Sequence, residues 1–160
     1  MTSTYIALAT TTLSSATSTV TFSSIPATYR DLILVVRHQV TQLTNVGLRF
    51  NSDTGSNYSG VEMVGTEGGS ATSATSSTTS IQSRFGGGMI NNGSISIYQI
   101  MDYSATDKHK SVLTRHNWPG QAVSAVASRW ANTSAITSLS ISTNEPSFAS
   151  GATFSLYGVN

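Results

Sequence analysis

Cysteine is absent from the 160-residue chain. Without thiols there is no disulfide framework, no thiolate metal site and no thiol nucleophile, so cysteine usage does not indicate a redox compartment. Charged residues make up only 9% of the chain, against about a quarter in an average soluble domain, and Ser and Thr take their place. The net charge of +1 argues against nucleic acid and anionic membranes as partners, because both attract clusters of Lys and Arg.

The sequence shows no evident pattern of a secretory signal or of a membrane-spanning helix. No basic segment followed by an apolar stretch opens the chain, so we expect no secretory signal. No apolar run approaches the about 20 residues that a membrane-spanning helix needs.

A surface this neutral and rich in hydroxyl groups resists association poorly. Two interpretations stay open: either neighbouring copies cover the surface in an ordered assembly, or the chain is simply a β-rich, Thr-rich domain.

The longest apolar run is Leu32 to Val36, inside the stretch FSSIPATYRDLILVVR from Phe22 to Arg37. β-Branched residues fill three of its five positions, which favours a strand over a buried helix. A continuous apolar run predicts a strand buried on both faces, and we expect it to be the central strand. Tyr29 and Asp31 are expected to fix the turn before this strand rather than to act on a substrate.

Runs of strand character separated by turn formers predict the strands of the whole chain, the central one included. They are Tyr5 to Thr11, Thr19 to Ser23, Arg30 to Gln39, Gly47 to Asn51, Tyr58 to Gly65, Ser80 to Phe85, Ser94 to Tyr103, Ser111 to His116, Ala122 to Trp130, Ser134 to Thr143 and Thr153 to Val159. A change of apolar phase near Tyr98 predicts a bulge. Gly68 to Thr79 consists almost wholly of Gly, Ala, Ser and Thr and predicts a long surface loop or mobile flap.

About ten short strands and no helix predict a single all-β domain over residues 1–160, an antiparallel β-sandwich with jelly-roll-like topology. Turns are predicted at Asn91-Asn92-Gly93, at Asn117 to Gly120 and at Asn144 to Pro146. The large side chains expected between the two sheets are Phe22, Leu34, Phe50, Ile97, Trp130, Leu139 and Phe154.

Asp53-Thr54-Gly55 matches the triplet that supplies a catalytic carboxylate in aspartic proteases. In those enzymes the site buries two carboxylates that share a proton, whereas polar residues precede the triplet here. We therefore expect a turn in which Asp53 accepts hydrogen bonds from backbone amides. Asn51, Asp53 and Asn57 also offer oxygens to Ca²⁺. A Ca²⁺ site usually has about six to eight oxygen ligands and more negative charge than one carboxylate supplies. No metal and no cofactor are expected.

The three imidazoles are His38, His109 and His116. No two have the close spacing of a zinc site, although one histidine from each of three copies could meet on a threefold axis. No G-x-S-x-G motif supports a Ser/His/Asp triad. Gly86-Gly87-Gly88 lacks the following helix and the Lys-Ser/Thr pair of a phosphate loop. We expect no enzymatic activity.

Trp118 and His116 are the candidate contact residues. Trp118 lies in a predicted turn before Pro119, where an exposed indole could stack on a sugar ring or anchor a protein interface. Trp130 lies within a predicted strand and is assigned to the core. The sequence therefore predicts a glycan or interface contact at Trp118 and His116, and no other site.

Six stretches that together span nearly the whole chain carry a resemblance. They are Tyr5 to Leu8, Phe22 to Leu32, Phe50 to Ser59, Met101 to Tyr103, Ile136 to Leu139 and Phe154 to Gly158. In combination they resemble a family of small virion structural proteins of tailed bacteriophages, found among phages of aquatic bacteria and cyanobacteria. The resemblance implies a jelly-roll-like module of the virion, either a capsid decoration or cement protein or part of a tail fibre.

The chain begins with Met and shows no coiled coil or anchoring domain, which favours capsid decoration. In that role we expect a homotrimer that contacts the major capsid protein or other virion proteins, without nucleic acid or membrane. The alternative is a tail-fibre or receptor-binding module of the virion whose partner is a host-surface glycan.

Overall fold

The structure, a computed structural model, describes residues 4–40, 42, 45–82, 93–143 and 147–160. Twelve β-strands and no α-helix lie within those residues. In chain order the strands are β1 Tyr5–Thr12, β2 Thr19–Phe22, β3 Asp31–Arg37, β4 Val46–Phe50, β5 Tyr58–Thr66, β6 Ala71–Thr78, β7 Ile81–Gln82, β8 Ile95–Met101, β9 Lys110–Trp118, β10 Ala122–Trp130, β11 Leu139–Thr143 and β12 Thr153–Val159.

These strands form two sheets, and their pairings are antiparallel. The larger sheet has eight strands in the order β1-β12-β3-β8-β9-β10-β5-β6, and the smaller has four in the order β2-β11-β4-β7. Apolar side chains from the facing sides of both sheets share one core. The fold is therefore an all-β antiparallel sandwich, as the sequence predicts, while the jelly-roll likeness stays a prediction.

Strand β3 lies inside the larger sheet, between β12 and β8. Leu32, Leu34 and Val36 are fully buried, whereas Ile33 and Val35 on the opposite face are half-buried. The prediction of a strand buried on both faces is wrong, because the smaller sheet covers only one face of the larger sheet. The apolar run instead supplies both the core and the outer face.

The segment predicted as a surface loop, Gly68 to Thr79, contains the edge strand β6. It pairs with β5 along its whole length, from Ala71 opposite Gly65 to Thr78 opposite Tyr58. The loop prediction is wrong because backbone hydrogen bonds to a neighbouring strand do not require large side chains, and Thr favours extended backbone. Gly69, with a φ of 78°, lies in the turn before β6.

Strand β8 pairs with β3 and β9 without a shift of register. Ser96, Tyr98 and Ile100 are buried on its inner face, and Ile97 lies on the outer face, half-buried. The predicted bulge near Tyr98 and the core position of Ile97 are therefore wrong. Apolar residues on both faces of the strand produced the apparent change of phase, and a register shift occurs instead in β1, between Ala7 and Ala9.

The other six predicted core residues are buried: Phe22, Leu34, Phe50, Trp130, Leu139 and Phe154. Phe50 of the smaller sheet packs on Trp130 of the larger, with ring centroids 5.5 Å apart. Phe148 meets Phe154 edge to face at 5.0 Å. Such pairs each contribute about 0.5–1.5 kcal/mol beyond the area they bury.

Several predicted elements lie wholly or partly outside the described residues. They are Ser83 to Phe85 of the strand Ser80 to Phe85, Gly86-Gly87-Gly88, the first two residues of the Asn91-Asn92-Gly93 turn, and the turn Asn144 to Pro146.

The segment before β3 is held as expected. The Asp31 carboxylate accepts the backbone N–H of Asp102 over 2.9 Å. Tyr103, fully buried, donates its hydroxyl to the Pro26 carbonyl and accepts the Tyr29 backbone N–H over 3.4 Å. The turn into β3 is thus fixed by contacts with the segment after β8.

Gly158→Ala is expected to destabilise the sandwich by about 1–3 kcal/mol, the usual cost of overpacking. The added methyl group would overlap the ring of Tyr29, which lies against Gly158 on β12. The matched control is Gly65→Ala in β5, where an added methyl group meets nothing within 4 Å. Urea unfolding measures both variants, and equal losses of unfolding free energy would contradict a specific role for the Tyr29 contact.

Candidate functional site

The Asp53-Thr54-Gly55 triplet lies in the segment that carries the chain from β4 in the smaller sheet to β5 in the larger. Asn51 and Ser52 have φ values of 49° and 58°, and the Asp53 N–H donates to the Phe50 carbonyl over 2.9 Å. Two successive positive φ values are typical of a type I′ turn, which favours Asn and Gly. The triplet therefore follows a tight turn and not the end of a buried strand.

The Asp53 carboxylate is engaged by groups of the fold itself. Its Oδ1 accepts the Gly55 backbone N–H over 2.8 Å, and its Oδ2 accepts the Asn57 amide over 2.9 Å and the Trp130 indole N–H over 2.7 Å. The bond from Trp130, followed by that from Asn57, lowers the pKa of Asp53 from its usual value, because both stabilise the anion. The predicted turn, with Asp53 accepting a backbone amide, is confirmed.

Asn51, considered for Ca²⁺ together with Asp53, also serves the fold. Its side-chain oxygen accepts the backbone N–H groups of Thr137 and Ser138 over 2.9 and 3.1 Å, and its amide donates to the Ala135 carbonyl over 2.8 Å. These bonds hold the segment that leads into β11. In the described part of the chain, no group of three or more His, Asp or Glu side chains could hold a metal ion.

A double-mutant cycle with Asp53→Asn and Trp130→Phe is expected to give a coupling free energy of about 1.5–3 kcal/mol, the range for hydrogen bonds to charged groups. Urea unfolding at pH 7 of the wild type, both single variants and the double variant provides the four values.

The control cycle replaces Asp53→Asn with Asp107→Asn, which alters an exposed carboxylate in the β8–β9 loop. Its coupling to Trp130→Phe should be close to zero. If the two cycles give the same coupling, the bond from the indole to Asp53 does not stabilise the fold.

Two of the three histidines meet inside the sandwich. The hydroxyl oxygen of Ser96 lies 2.8 Å from Nε2 of His38 and 2.8 Å from Nδ1 of His116, whereas His109 is exposed. The spacing of the histidines in sequence did not indicate this cluster. The register of the β8–β9 hairpin does indicate the cluster, because it places Ser96 directly opposite His116.

This cluster is closed to substrates. Burial, and to a smaller extent the neighbouring His116, lowers the pKa of His38 from 6.5 to about 3, so the His38 ring is neutral at physiological pH. The cavity beside the cluster, lined by Ser96, Thr114 and His116 among others, has a volume of about 10 Å³. That volume is about one water molecule, so the serine–histidine contact belongs to the core.

The low pKa of His38 predicts a pH-dependent stability. Between pH 6.5 and about 3 the unfolded chain binds a proton that the folded ring does not, so the stabilisation is complete above pH 6.5 and falls by about 1.4 kcal/mol per pH unit below it. Urea unfolding from pH 7 to pH 4 should show that His38→Gln lowers this slope. The control, His109→Gln, alters an exposed ring and should keep the wild-type slope; an unchanged slope in His38→Gln would contradict the assignment.

Trp118 is the last residue of β9, and the turn that follows comprises residues 119–121. The predicted turn over Asn117 to Gly120 is therefore misplaced, because Asn117 and Trp118 still pair with Val123 and Ala122 of β10. The Trp118 side chain is half-buried. His116 lies on the same face of β9 but bonds to Ser96, so the structure does not bring the two predicted contact residues into one site.

Trp118 instead lines an open cleft of about 540 Å³ together with Glu67 and Gln121. Sequence reasoning selected the indole but missed the other two residues. Glu67 comes from the turn of a different hairpin, β5–β6, and Gln121 lies in the same β9–β10 turn but was not singled out by any motif. Only the pairing of β5 with β10 brings these turns side by side.

No family model matches the chain, and no curated protein matches it. Within the described residues, no helix has the length and apolar character to cross a bilayer.

Proposed function

We propose that this chain is a non-enzymatic virion structural protein of a tailed bacteriophage, a capsid decoration or cement protein that stabilises the shell through protein–protein contacts. The resemblance carried by Phe22 to Leu32 and five further stretches supports a virion location. The observation that carries the proposal is the character of the outer face of the larger sheet, the face opposite the smaller sheet.

That outer face carries exposed apolar side chains on β5, β10 and β9. Val61, Met63, Leu113 and Val123 are 50%, 65%, 38% and 62% exposed. Ala127 lies between Val61 and Leu113 in the strand register, so these residues form one continuous surface, the β5–β10–β9 patch. Contiguous exposed apolar surface of this kind marks interaction sites.

The charges around the patch favour a different protein as its partner. Strand alternation places Arg37, Arg115 and Arg129 on the outer face, all exposed, and no Lys or Glu occupies an outward position in the described strands of this sheet. Asp31, at one end, already accepts the Asp102 N–H. Interfaces are rich in Arg and Met and poor in Lys, Glu and Asp. A second copy of the same face would oppose arginine with arginine, so a shell subunit with acidic groups fits better.

Edge strand β6 supports association between copies of the chain. It is eight residues long, contains no Lys or Pro, and pairs with β5 without a register shift, so it lacks the devices that protect sheet edges. A β6 edge that contacts a different surface of the next copy generates a closed ring when the rotation between copies closes, and an open filament when it does not. A homotrimer decorating the shell is consistent with such a contact.

Met63→Asp and Val123→Asp are each expected to weaken attachment to capsids about tenfold or more, because each variant places a carboxylate in the apolar patch. The measurement is co-sedimentation of the purified chain with capsids of the encoding phage that lack it. Thr106→Asp puts the same charge on the exposed β8–β9 loop and should attach normally. All three variants should sediment alone as trimers, because the substitutions lie off β6.

Cryo-electron microscopy of whole virions tests the location. Density for the chain on the capsid surface supports decoration, and equal attachment of all variants in the sedimentation test would contradict the role of the patch. Density on the tail alone would overturn decoration and favour the alternative, a tail-fibre or receptor-binding module. Turnover of polysaccharide or peptide substrates by the pure chain would contradict a non-enzymatic role.

A further inference from the structure

An open cleft lies where two hairpin turns of the larger sheet meet. The β5–β6 turn, residues 67–70, and the β9–β10 turn, residues 119–121, are joined by a hydrogen bond from the Glu67 N–H to the Gln121 carbonyl over 2.8 Å. The volume of about 540 Å³ lies in the range of small-molecule sites, about 300–1,000 Å³. The lining includes Val64, Thr66, Glu67, Trp118, Gln121 and Ala122, and we call it the Trp118 cleft.

The walls of the Trp118 cleft are held in place by hydrogen bonds within each turn. In the first turn, Gly69 N–H donates to Thr66 O over 3.0 Å, and Thr66 N–H and Oγ1 donate to Ser70 O over 2.9 and 3.2 Å. In the second, Gln121 N–H donates to Trp118 O over 3.0 Å. A ligand that binds here does not have to order these loops, which reduces the entropic cost of binding.

The lining combines an aromatic surface with exposed hydrogen-bonding groups. The Trp118 indole, half-buried, also lines an adjoining cleft of about 480 Å³ that shares Glu67 and Gln121. An indole face suits the apolar face of a sugar ring. The carboxylate of Glu67 accepts hydrogen bonds from hydroxyl groups, and the amide of Gln121 both donates and accepts them. This is the chemistry that a ring with several neighbouring hydroxyls requires.

The charge of the lining restricts the ligand further. Among the described residues that line the cleft, Glu67 is the one charged side chain, and no Lys, Arg or His is present. A carboxylate without a neighbouring cation repels phosphates, uronic acids and other anions. We propose that the Trp118 cleft binds a pyranose unit of a neutral polysaccharide. The proposal concerns the isolated chain and does not depend on its place in a virion, so either proposal can fail without the other.

Saturation-transfer NMR and titration calorimetry on the purified full chain test the cleft. The probes are three neutral hexasaccharides, maltohexaose, cellohexaose and mannohexaose, and one anionic probe, hexagalacturonate. We expect at least one neutral probe to bind and the anionic probe not to bind. Trp118→Ala and Glu67→Gln should each weaken binding about tenfold, and Trp118→Phe, which keeps an aromatic face, should weaken it less.

The matched control is Tyr5→Ala, which removes another exposed aromatic ring, 57% exposed, from the opposite edge of the larger sheet. Its affinity should equal that of the wild type. No binding of any neutral probe, stronger binding of hexagalacturonate, or equal affinity in the wild type and Trp118→Ala would overturn the proposal. If Trp118→Ala unfolds, Trp118→Phe and Glu67→Gln decide, because Phe keeps an aromatic ring at position 118 and Gln nearly preserves the shape of Glu67.

Discussion

The hydrogen bond from the Trp130 indole to the Asp53 carboxylate connects β10 of the larger sheet to the segment between β4 and β5. This segment carries the chain from the smaller sheet to the larger one. Around this hydrogen bond, the Tyr58 ring stacks on Trp130 with centroids 6.4 Å apart, and the Tyr58 hydroxyl accepts the Phe50 N–H over 3.0 Å. Burial raises the pKa of Tyr58 to about 12, so its hydroxyl keeps its proton. Tyr58 and Trp130 also face each other in the strand register. This contact therefore sets how β5 lies on β10, and through that register it places the distant turns that form the Trp118 cleft.

The fold class and most strands could be predicted because their signals are local. Thr153–Val159 alternates strictly and has the bounds expected of it, and a tight turn at Asp53 follows from its polar neighbours. The wrong predictions concern strands and side chains whose environment is set by a neighbouring strand or by the other sheet. The strand Ala71–Thr78 exists because β5 lies beside it, and Ile97 faces outward because the smaller sheet covers the other side. The contact of Ser96 with two histidines required the register of three strands, and the Trp118 cleft required two hairpins side by side.

The few charges of this chain are separated by location. The outer face presents arginines around an apolar patch, whereas the Trp118 cleft presents the carboxylate of Glu67. Lys110 is fully buried, and its ammonium group donates to the Lys108 and Thr133 carbonyls over 3.0 and 3.1 Å; burial lowers its pKa. Uncharged Ser and Thr fill much of the remaining surface. The electrostatic potential at each of the two proposed binding surfaces is therefore set mainly by that surface's own charged side chains. The two proposals therefore assign an acidic protein to one side of the domain and an uncharged ligand to one end.

Strand β12 has a consequence for how the chain reaches its fold. It follows every other described strand in chain order, yet it lies between β1 and β3 in the larger sheet. Until β12 leaves the ribosome, the edge of β3 and its apolar residues Leu32, Leu34 and Val36 have no partner on that side. Such non-local pairing is slow, and an open apolar edge favours aggregation. The larger sheet therefore cannot close until β12 has been synthesised, because β12 joins β1 to β3.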